Sequence, residues 1–291
     1  MTATIVHVGP ELPQRLLRAT GRHAGTIAFD AERATPAADR WMESKFAPWA
    51  KAILESWAHD EYGAHSHVVF SRADDSAQRL YYYICELQRR GLVGGPEPVI
   101  LDIAKVPRNS SLTHTVQSLS KLAGKLEVTA ETLLAAGPGA APCPVDTTKP
   151  ACLLAGTPPP DRRLHRAIET AGFAAAGATL EESWRLLDEE IDRAPGDPFE
   201  TLARQVHASP HGPRAFVDSG ARLLGQIEAL DAAAAVLWQI EEDEAQAWHL
   251  PAQRAALEQA GIPSLVLTRR DWLARDGAAD EIAAFLSEIV S

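Results

Sequence analysis

The sequence has few cysteines, no basic surplus and no long hydrophobic run. Its 291 residues include three cysteines, Cys85, Cys143 and Cys152, an odd number in a chain too large to depend on disulfides, so we expect reduced thiols. The 28 lysines and arginines are outnumbered by 39 acidic residues and form no cluster, which argues against nucleic acid as a partner. No apolar run approaches the roughly 20 residues of a membrane span, and no charged segment followed by an apolar core opens the chain, so we expect a cytoplasmic protein with no membrane partner.

Several catalytic signatures are also missing. The chain has no G-x-G-x-x-G after a strand, no phosphate-binding G-x-x-x-x-G-K, no G-x-S-x-G and no H-E-x-x-H. These absences count against the usual nucleotide-dependent enzymes, serine hydrolases and zinc proteases.

What the sequence does contain is a series of short apolar runs separated by helical patterns. Runs that are apolar throughout are typical of parallel strands buried on both faces. Between them, Leu80, Ile84 and Leu87 form one helical stripe, and Ile282, Phe285 and Leu286 belong to another. This alternation predicts an α/β fold with doubly wound, mainly parallel sheets of Rossmann-like type. The predicted strands are HVVF (67–70), PVILDI (98–103), ACLLAG (151–156), AAAAVLW (232–238) and PSLVLT (263–268).

A Pro- and Gly-rich segment without periodicity, AAGPGAAPCPVDTTKP, divides the chain near its middle. The sequence therefore predicts an N-terminal α/β domain over 1–137, a linker over 138–149 and a C-terminal α/β domain over 150–291. A ligand-binding cleft between two such domains is expected, because clefts between domains are common ligand sites.

The loop after the strand HVVF carries the first candidate ligand residues. In open α/β sheets, ligands bind just beyond the carboxyl ends of the strands. Capping of the next helix, by Asp75 or Ser76 with Asp74 at the positive end of the helix dipole, explains several of these polar residues. Capping does not explain Arg72, whose planar guanidinium is suited to binding a carboxylate or a phosphate. The candidate cleft residues of this loop are Ser71, Arg72, Ala73, Asp74 and Asp75.

Two strand ends in the second half supply the remaining candidates. Gly156 and Thr157 follow the strand ACLLAG, and Asp161 can cap the helix that starts near Arg162 and Arg163. The other loop is acidic, as exposed loops often are. Its candidate cleft residues are Glu241, Glu242 and Asp243.

A histidine group near the first predicted strand is a weaker candidate. His59, His65 and His67 could be drawn as a metal site, but a polar entrance to the strand explains these histidines equally well. No metal ligands are therefore assigned.

Four segments together resemble a known family, the subunits of 2-hydroxyacyl-CoA dehydratases and benzoyl-CoA reductases. The likeness covers most of the chain, and the order and spacing of the segments strengthen it. It implies two Rossmann-like domains and an acyl-CoA ligand. The segments are GPELPQRLLRATGRHAG, LSKLAGKLEVTAETLLAA, LLAGTPPPDRRLHRAIETAG and LPAQRAALEQAGIPSLVLTRRD.

The resemblance also implies where cluster ligands should stand. Members of this family hold a [4Fe–4S] cluster with three cysteines, and the corresponding positions here are Ala47, Ala73 and Glu242 or Asp243. Iron–sulfur clusters depend on thiolate ligands, and alanine supplies no ligand. We therefore expect no iron–sulfur cluster. The long helical stretch that the family usually inserts after TAETLLAA is also missing.

Three functional hypotheses follow. The first is a cluster-free subunit that binds an acyl-CoA or related acid, as a homo-oligomer or hetero-oligomer and possibly beside a cluster-bearing homologue. The second is an enzyme of altered chemistry, in which the acids of ADD and EEDE hold a divalent metal that acts on an acyl thioester. The third is a structural or regulatory partner without a ligand. A catalytic version of the chain would be a lyase or reductase component, and no catalytic residue is assigned.

Overall fold

The computed structural model describes residues 3–137, 139, 146, 148–187, 196–209 and 217–290. The chain forms two compact units. Unit 1 comprises Met1–Ala141 and Trp184–Phe216, and unit 2 comprises Pro142–Ser183 and Val217–Ser291. Each unit has a four-stranded parallel sheet flanked by helices, which confirms the predicted α/β, Rossmann-like fold.

Unit 1 alternates strands and helices along the chain, and a short 3₁₀ turn precedes its second helix. Its strands are β1 (Thr4–Val8), β2 (His23–Thr26), β3 (His65–Ser71) and β4 (Glu97–Leu101). Its helices are α1 (Gln14–Ala19), α2 (Pro48–Ala58), α3 (Asp75–Arg89), α4 (Asn109–Lys125), α5 (Ala130–Ala135) and α8 (Pro198–Ala208).

The sheet of unit 1 has the order β2-β1-β3-β4 and is buried on both faces. Successive side chains of a strand point to opposite faces. Val69 packs in a core that includes residues of α1, α4 and α8, whereas Phe70 stacks with Trp57 of α2 and Tyr81 of α3. This two-sided burial is the reason that HVVF reads as continuously apolar.

Unit 2 repeats the same alternation. Its strands are β5 (Ala151–Gly156), β6 (Ala174–Ala176), β7 (Ala232–Ile240) and β8 (Ser264–Arg270). Its helices are α6 (Arg163–Thr170), α7 (Leu180–Ser183), α9 (Ser219–Leu230), α10 (Glu244–Ala247), α11 (Leu250–Ala260) and α12 (Ala278–Val290).

The sheet of unit 2 has the order β6-β5-β7-β8, so its first strand lies beside its third, as in unit 1. One face carries the core formed with α9 and α11, to which Leu153, Leu237 and Leu257 belong. The alternate residues Val236 and Trp238 are fully buried and point to the other face. Helices α6 and α12 pack on each other, and α12 contacts β8.

All five predicted strands are present, as β3, β4, β5, β7 and β8. The predicted domain boundaries differ from the observed units in one respect, because Trp184–Phe216 lies in unit 1 rather than with the C-terminal half. The reason is hydrophobic: Leu202, Ala203 and Val206 of α8 are buried in the unit 1 core, and α8 packs on α4 and α5. Most of the predicted linker, with Cys143, lies outside the described residues. No helix among the described residues is long and apolar enough to cross a membrane.

Candidate functional site

The strand order creates one distinctive position in each unit. In a parallel sheet of this order, the connection after the first strand and the connection after the third strand leave in opposite directions. The place between these two strand ends is the switch point, and ligands bind beyond the strand ends there. In unit 1 the switch point lies between the ends of β1 and β3, and in unit 2 it lies between the ends of β5 and β7. The predicted candidates follow β3, β5 and β7.

In unit 1, the loop after β3 is held by its own polar side chains. The buried Ser71 hydroxyl accepts a hydrogen bond from the backbone N–H of Ala73 at 3.0 Å. Asp74, rather than the predicted Asp75 or Ser76, caps α3, and its Oδ1 accepts from the Ala77 N–H at 2.7 Å. Asp75 is the exposed first residue of the helix. Capping of α3 therefore accounts for Asp74.

Arg72 pairs with Asp102, which in turn contacts His114, and the sequence analysis selected neither of these partners. Its Nη1 lies 2.5 Å from Oδ1 of Asp102, and Oδ2 of Asp102 lies 3.0 Å from Nε2 of His114. Asp102 directly follows β4, so the rule that selects residues at strand ends would have found it. The guanidinium of Arg72 thus already has a carboxylate partner within unit 1, which weakens its candidacy as the binder of an external anion.

The turn after β1 approaches β3 closely. Gly9 has a φ of +94°, and a Cβ at this position would lie 2.9 Å from the Cβ of Ser71. Only glycine fits this turn without displacing the end of β3. Little space therefore remains between the two strand ends at the switch point of unit 1.

A buried ion pair between Lys105 and Glu11 lies in unit 1. Lys105, in the segment after β4, donates to the carboxylate of Glu11 and to the carbonyl oxygens of Val206 at 2.6 Å and Ser209 at 3.1 Å. Ser209 Oγ donates to the other oxygen of Glu11 at 3.0 Å. Both charged side chains are almost inaccessible, with exposed fractions of 5% for Lys105 and 1% for Glu11. This network anchors the end of α8, and its charges are satisfied internally.

In unit 2, the structure brings three predicted residues together. Thr157 Oγ1 donates to Oδ2 of Asp243 at 2.9 Å, which links the end of β5 to the loop after β7. The Thr157 N–H also donates to the carbonyl oxygen of Trp238 at 2.8 Å. Gly156 has a φ of +104°, and a Cβ there would lie 2.3 Å from the same carbonyl oxygen. The switch point of unit 2 is thus a defined constellation of Gly156, Thr157 and Asp243.

The carboxyl group of Asp243 is enclosed. Burial raises its pKa above the ordinary range, while hydrogen bonds from Thr157 and the Gln246 backbone act in the opposite direction. Its Oδ1 accepts from the Gln246 N–H at 3.3 Å, so Asp243 also caps α10. Glu241 is exposed, and Glu242 lies one residue before Asp243 in the same loop. Asp243 therefore joins the constellation through Thr157.

The loops after β5 and β6 in the same unit carry further charged groups. Arg163 is held by Asp161 and donates to the carbonyl oxygen of Leu273 at 2.6 Å. Arg162 Nη1 donates to Glu182 at 3.1 Å, and its side chain remains 40% exposed. Arg162 is therefore the more accessible of the two cations.

His165 is a buried imidazole that the sequence analysis missed. Its Nε2 lies 2.9 Å from the carbonyl oxygen of Gly177, at the end of β6, and its Nδ1 has no hydrogen-bond partner among the described residues. Burial lowers its pKa. A neutral ring that donates from Nε2 leaves a bare acceptor at Nδ1.

An exposed tryptophan lies on the loop that contains Asp243. Trp248 directly follows α10, and its exposed fraction is 85%. An indole this exposed to solvent is unusual on a protein surface, and it provides a flat apolar face for a ligand or partner.

The positions that would hold a cluster in the resembling family do not fit one. Ala47 precedes α2 and Ala73 lies in the loop after β3, both buried and without a ligand atom, while Asp243 is hydrogen bonded to Thr157. Cys152 is fully buried in β5, and burial raises the pKa of its thiol to about 12. Burial also raises the thiol pKa of Cys85, in the middle of α3. Neither described cysteine is poised as a thiolate ligand.

Within the described ranges, no group of three His, Cys, Asp or Glu side chains is arranged to hold a metal ion. Histidines 65 and 67 have separate partners: His65 Nδ1 lies 2.7 Å from Thr4 Oγ1, and His67 Nδ1 lies 3.0 Å from Ser66 Oγ. These contacts agree with the interpretation of a polar strand entrance.

Fold and site together define a protein of two Rossmann-like units with a polar constellation at one switch point. Comparison with known protein families gives no match, and comparison with curated proteins gives none either.

Proposed function

We propose that the chain is a cluster-free subunit of the 2-hydroxyacyl-CoA dehydratase and benzoyl-CoA reductase type that binds an acyl-CoA or related acid. It works in the cytoplasm as part of an oligomer, beside another copy or a cluster-bearing homologue. The observation that carries the proposal is the Thr157–Asp243 link at the switch point of unit 2, where sheets of this order bind ligands.

Two features of unit 2 match parts of such a ligand. The exposed indole of Trp248 offers a stacking face for an adenine ring. The part-exposed guanidinium of Arg162, which is paired with Glu182, suits a phosphate. Unit 2 is preferred to unit 1 because this exposed indole lies in its candidate loop, whereas Arg72 of unit 1 is paired with Asp102 just as Arg162 is paired with Glu182.

The proposal is tested by thermal unfolding of the full chain with a panel of acyl-CoA thioesters, free CoA and the corresponding free acids. A ligand present at 100 times its dissociation constant stabilises the folded state by about 2.7 kcal/mol. We expect stabilisation by at least one thioester or acid. No shift with any compound at millimolar concentration contradicts the proposal.

Two variants locate the binding site. Trp248→Ala removes a base-stacking contact of about 1 to 3 kcal/mol, so we expect the acyl-CoA dissociation constant, measured by calorimetry, to rise by about 5-fold to 150-fold. Tyr82→Ala is the matched control, because Tyr82 is an exposed aromatic residue of unit 1. Equal affinities for both variants would place the ligand elsewhere.

Iron analysis separately tests the proposal that the chain holds no iron–sulfur cluster. Anaerobically purified protein should contain no stoichiometric iron or sulfide, because Ala47 and Ala73 supply no ligand. About four irons per chain, together with an iron–sulfur absorption band, would contradict it.

The alternative of a divalent metal held by both acidic loops has no supporting observation in the described residues. Asp74 and Asp243 lie in different units, and each is occupied in capping a helix. A titration with Mn²⁺ that produces heat, lost in Asp243→Ala, would revive this alternative.

A further inference from the structure

The open edge of the sheet in unit 2 borders a groove. About 470 Å³ of space lies between α11 and β8, lined by Arg254 and Glu258 of the helix and by Ser264, Val266 and Thr268 of the strand. β8 is the last strand of its sheet, so one of its sides has no neighbouring strand among the residues that the structure describes.

The register shows which backbone groups face this groove. The Ala235 N–H donates to the carbonyl oxygen of Pro263 at 3.0 Å, and the pairing continues with Leu237 opposite Val266. In a parallel ladder, alternate residues direct their N–H and C=O groups to the neighbouring strand, which here are Leu265 and Leu267. The backbone groups of Ser264 and Val266, and the N–H of Thr268, therefore point away from β7 toward the open edge.

The other three strands at the sheet edges are short or interrupted. β2 has four residues, one of which is Gly25, and β6 has three. β4 contains Pro98, which has no N–H to donate. β8 has seven residues and no internal proline, and it is regular over 264–268, before Arg269, whose φ is +54°. Natural proteins usually protect such an edge, because unpaired strand groups recruit another strand.

The two charges on α11 are self-complementary. Arg254 and Glu258 are one helical turn apart, both are exposed, and neither has an ion pair with another described residue. If two copies of β8 pair antiparallel about a two-fold axis, the two α11 helices also run antiparallel. Arg254 of each copy then lies opposite Glu258 of the other.

We propose that β8 pairs antiparallel with β8 of a second copy of this chain, which forms a symmetric dimer with a continuous eight-stranded sheet. Val266 lies at the two-fold axis and exchanges two backbone hydrogen bonds with its counterpart. Ser264 of each copy faces Thr268 of the other. The contact is isologous, meaning that both copies use the same surface, so the assembly stops at two copies and this contact cannot add a third.

Sedimentation equilibrium of the full chain at micromolar concentrations tests the dimer. Arg254→Glu places like charges opposite each other, so we expect the dimer dissociation constant to rise at least tenfold, and the same for Glu258→Arg. The double variant Arg254→Glu/Glu258→Arg restores the complementarity and should restore wild-type association. This recovery separates the proposed contact from a general effect of charge.

Val266→Pro tests the backbone part of the contact. Proline removes an N–H that faces the open edge, where it is tolerated in a monomer, so the variant should be a folded monomer by circular dichroism and sedimentation. A wild-type chain that is monomeric at every concentration overturns the proposal. A dimer that the single charge variants do not weaken, or that the double variant does not restore, also overturns it. The measurement needs no ligand, so its outcome is independent of the proposed acyl-CoA binding.

Discussion

The hydroxyl of Thr157 donates a hydrogen bond of 2.9 Å to the carboxylate of Asp243 at the switch point of unit 2, between the ends of β5 and β7. The two residues are far apart in sequence and come from the loops after β5 and β7. Because the Asp243 carboxyl group is buried, Thr157 supplies part of the hydrogen bonding that water would otherwise provide.

Thr157→Val tests this link, since valine keeps the shape of threonine and removes the hydroxyl. We expect a loss of about 1.5 to 3 kcal/mol in the free energy of unfolding, measured by urea denaturation, because a charged acceptor loses its donor. Thr170→Val is the control. Thr170 is an exposed residue of α6 whose hydroxyl donates only to the carbonyl oxygen of Arg166, so its loss should stay within about 0.5 kcal/mol. Equal losses would show that the Thr157–Asp243 bond adds nothing specific.

Gly156→Ala should disrupt the end of β5. Its Cβ would lie 2.3 Å from the Trp238 carbonyl oxygen, so β5 and β7 must separate. Gly172→Ala is a matched control with a similar positive φ, +92°, and no atom within 4 Å. The control carries only the cost of the left-handed conformation, about 1 kcal/mol, whereas Gly156→Ala should lose more than about 3 kcal/mol in urea denaturation. A similar loss in both variants would indicate that the strand ends adjust without cost.

Lys105→Met should strongly destabilise unit 1, because it leaves the carboxylate of Glu11 buried without its cation. Breaking one side of such a pair costs about 3 to 5 kcal/mol. Lys125→Met breaks the exposed ion pair with Glu97 and should cost less than about 1 kcal/mol. In the double variant Lys105→Met/Glu11→Gln, the total loss should be smaller than the sum of the two single losses. Strict additivity in urea denaturation would argue against direct coupling.

Acid should destabilise unit 1 through a buried histidine pair. His7 Nδ1 lies 2.9 Å from His23 Nε2, and burial lowers the pKa of His7 to about 3 and that of His23 to about 4. Both folded-state values lie below the ordinary value of 6.5. Below about pH 6.5 the two histidines therefore bind protons in the unfolded chain but not in the folded chain. The free energy of unfolding decreases as the pH is lowered, by about 1.4 kcal/mol per pH unit for each histidine.

His23→Gln separates this effect from the titration of carboxylates. The slope of unfolding free energy against pH, measured between pH 6.5 and 4.5 by denaturation at each pH, should become shallower by about 1.4 kcal/mol per unit. An unchanged slope would show that His23 takes up its proton equally in the folded and unfolded states.

The elements that sequence reasoning found share a strong local pattern. HVVF and AAAAVLW are buried on both faces, so their apolar character is continuous and visible. β6 consists of three alanines and β2 of four mostly polar residues, and neither has enough apolar length to be recognised. The sequence predicts the cap of α3 at Asp75 or Ser76, one or two residues after the observed Asp74, because neighbouring Asp and Ser residues are equivalent as caps until the backbone geometry is known.

Part of the candidate site was also visible in the sequence. Gly156, Thr157 and Asp243 follow recognisable strands, and strand ends are where ligands of such sheets bind. Asp102 follows β4, so the strand-end rule could have selected it. The sequence does not indicate His114, Lys105 or His165, since each acquires its role from a partner distant in sequence. Arg72 was expected to be available for a ligand, and only the structure showed Asp102 beside it.

The sequence by itself determined the α/β class, five of the eight described strands and the residues at the carboxyl ends of those five, because hydrophobic periodicity is encoded locally. Tertiary structure alone decided which of those ends are neighbours, since the orders β2-β1-β3-β4 and β6-β5-β7-β8 place strands side by side that are separated in the chain. It also assigned Trp184–Phe216 to unit 1, through the burial of α8 against α4 and α5. These outcomes depend on packing between distant segments, which no local pattern specifies.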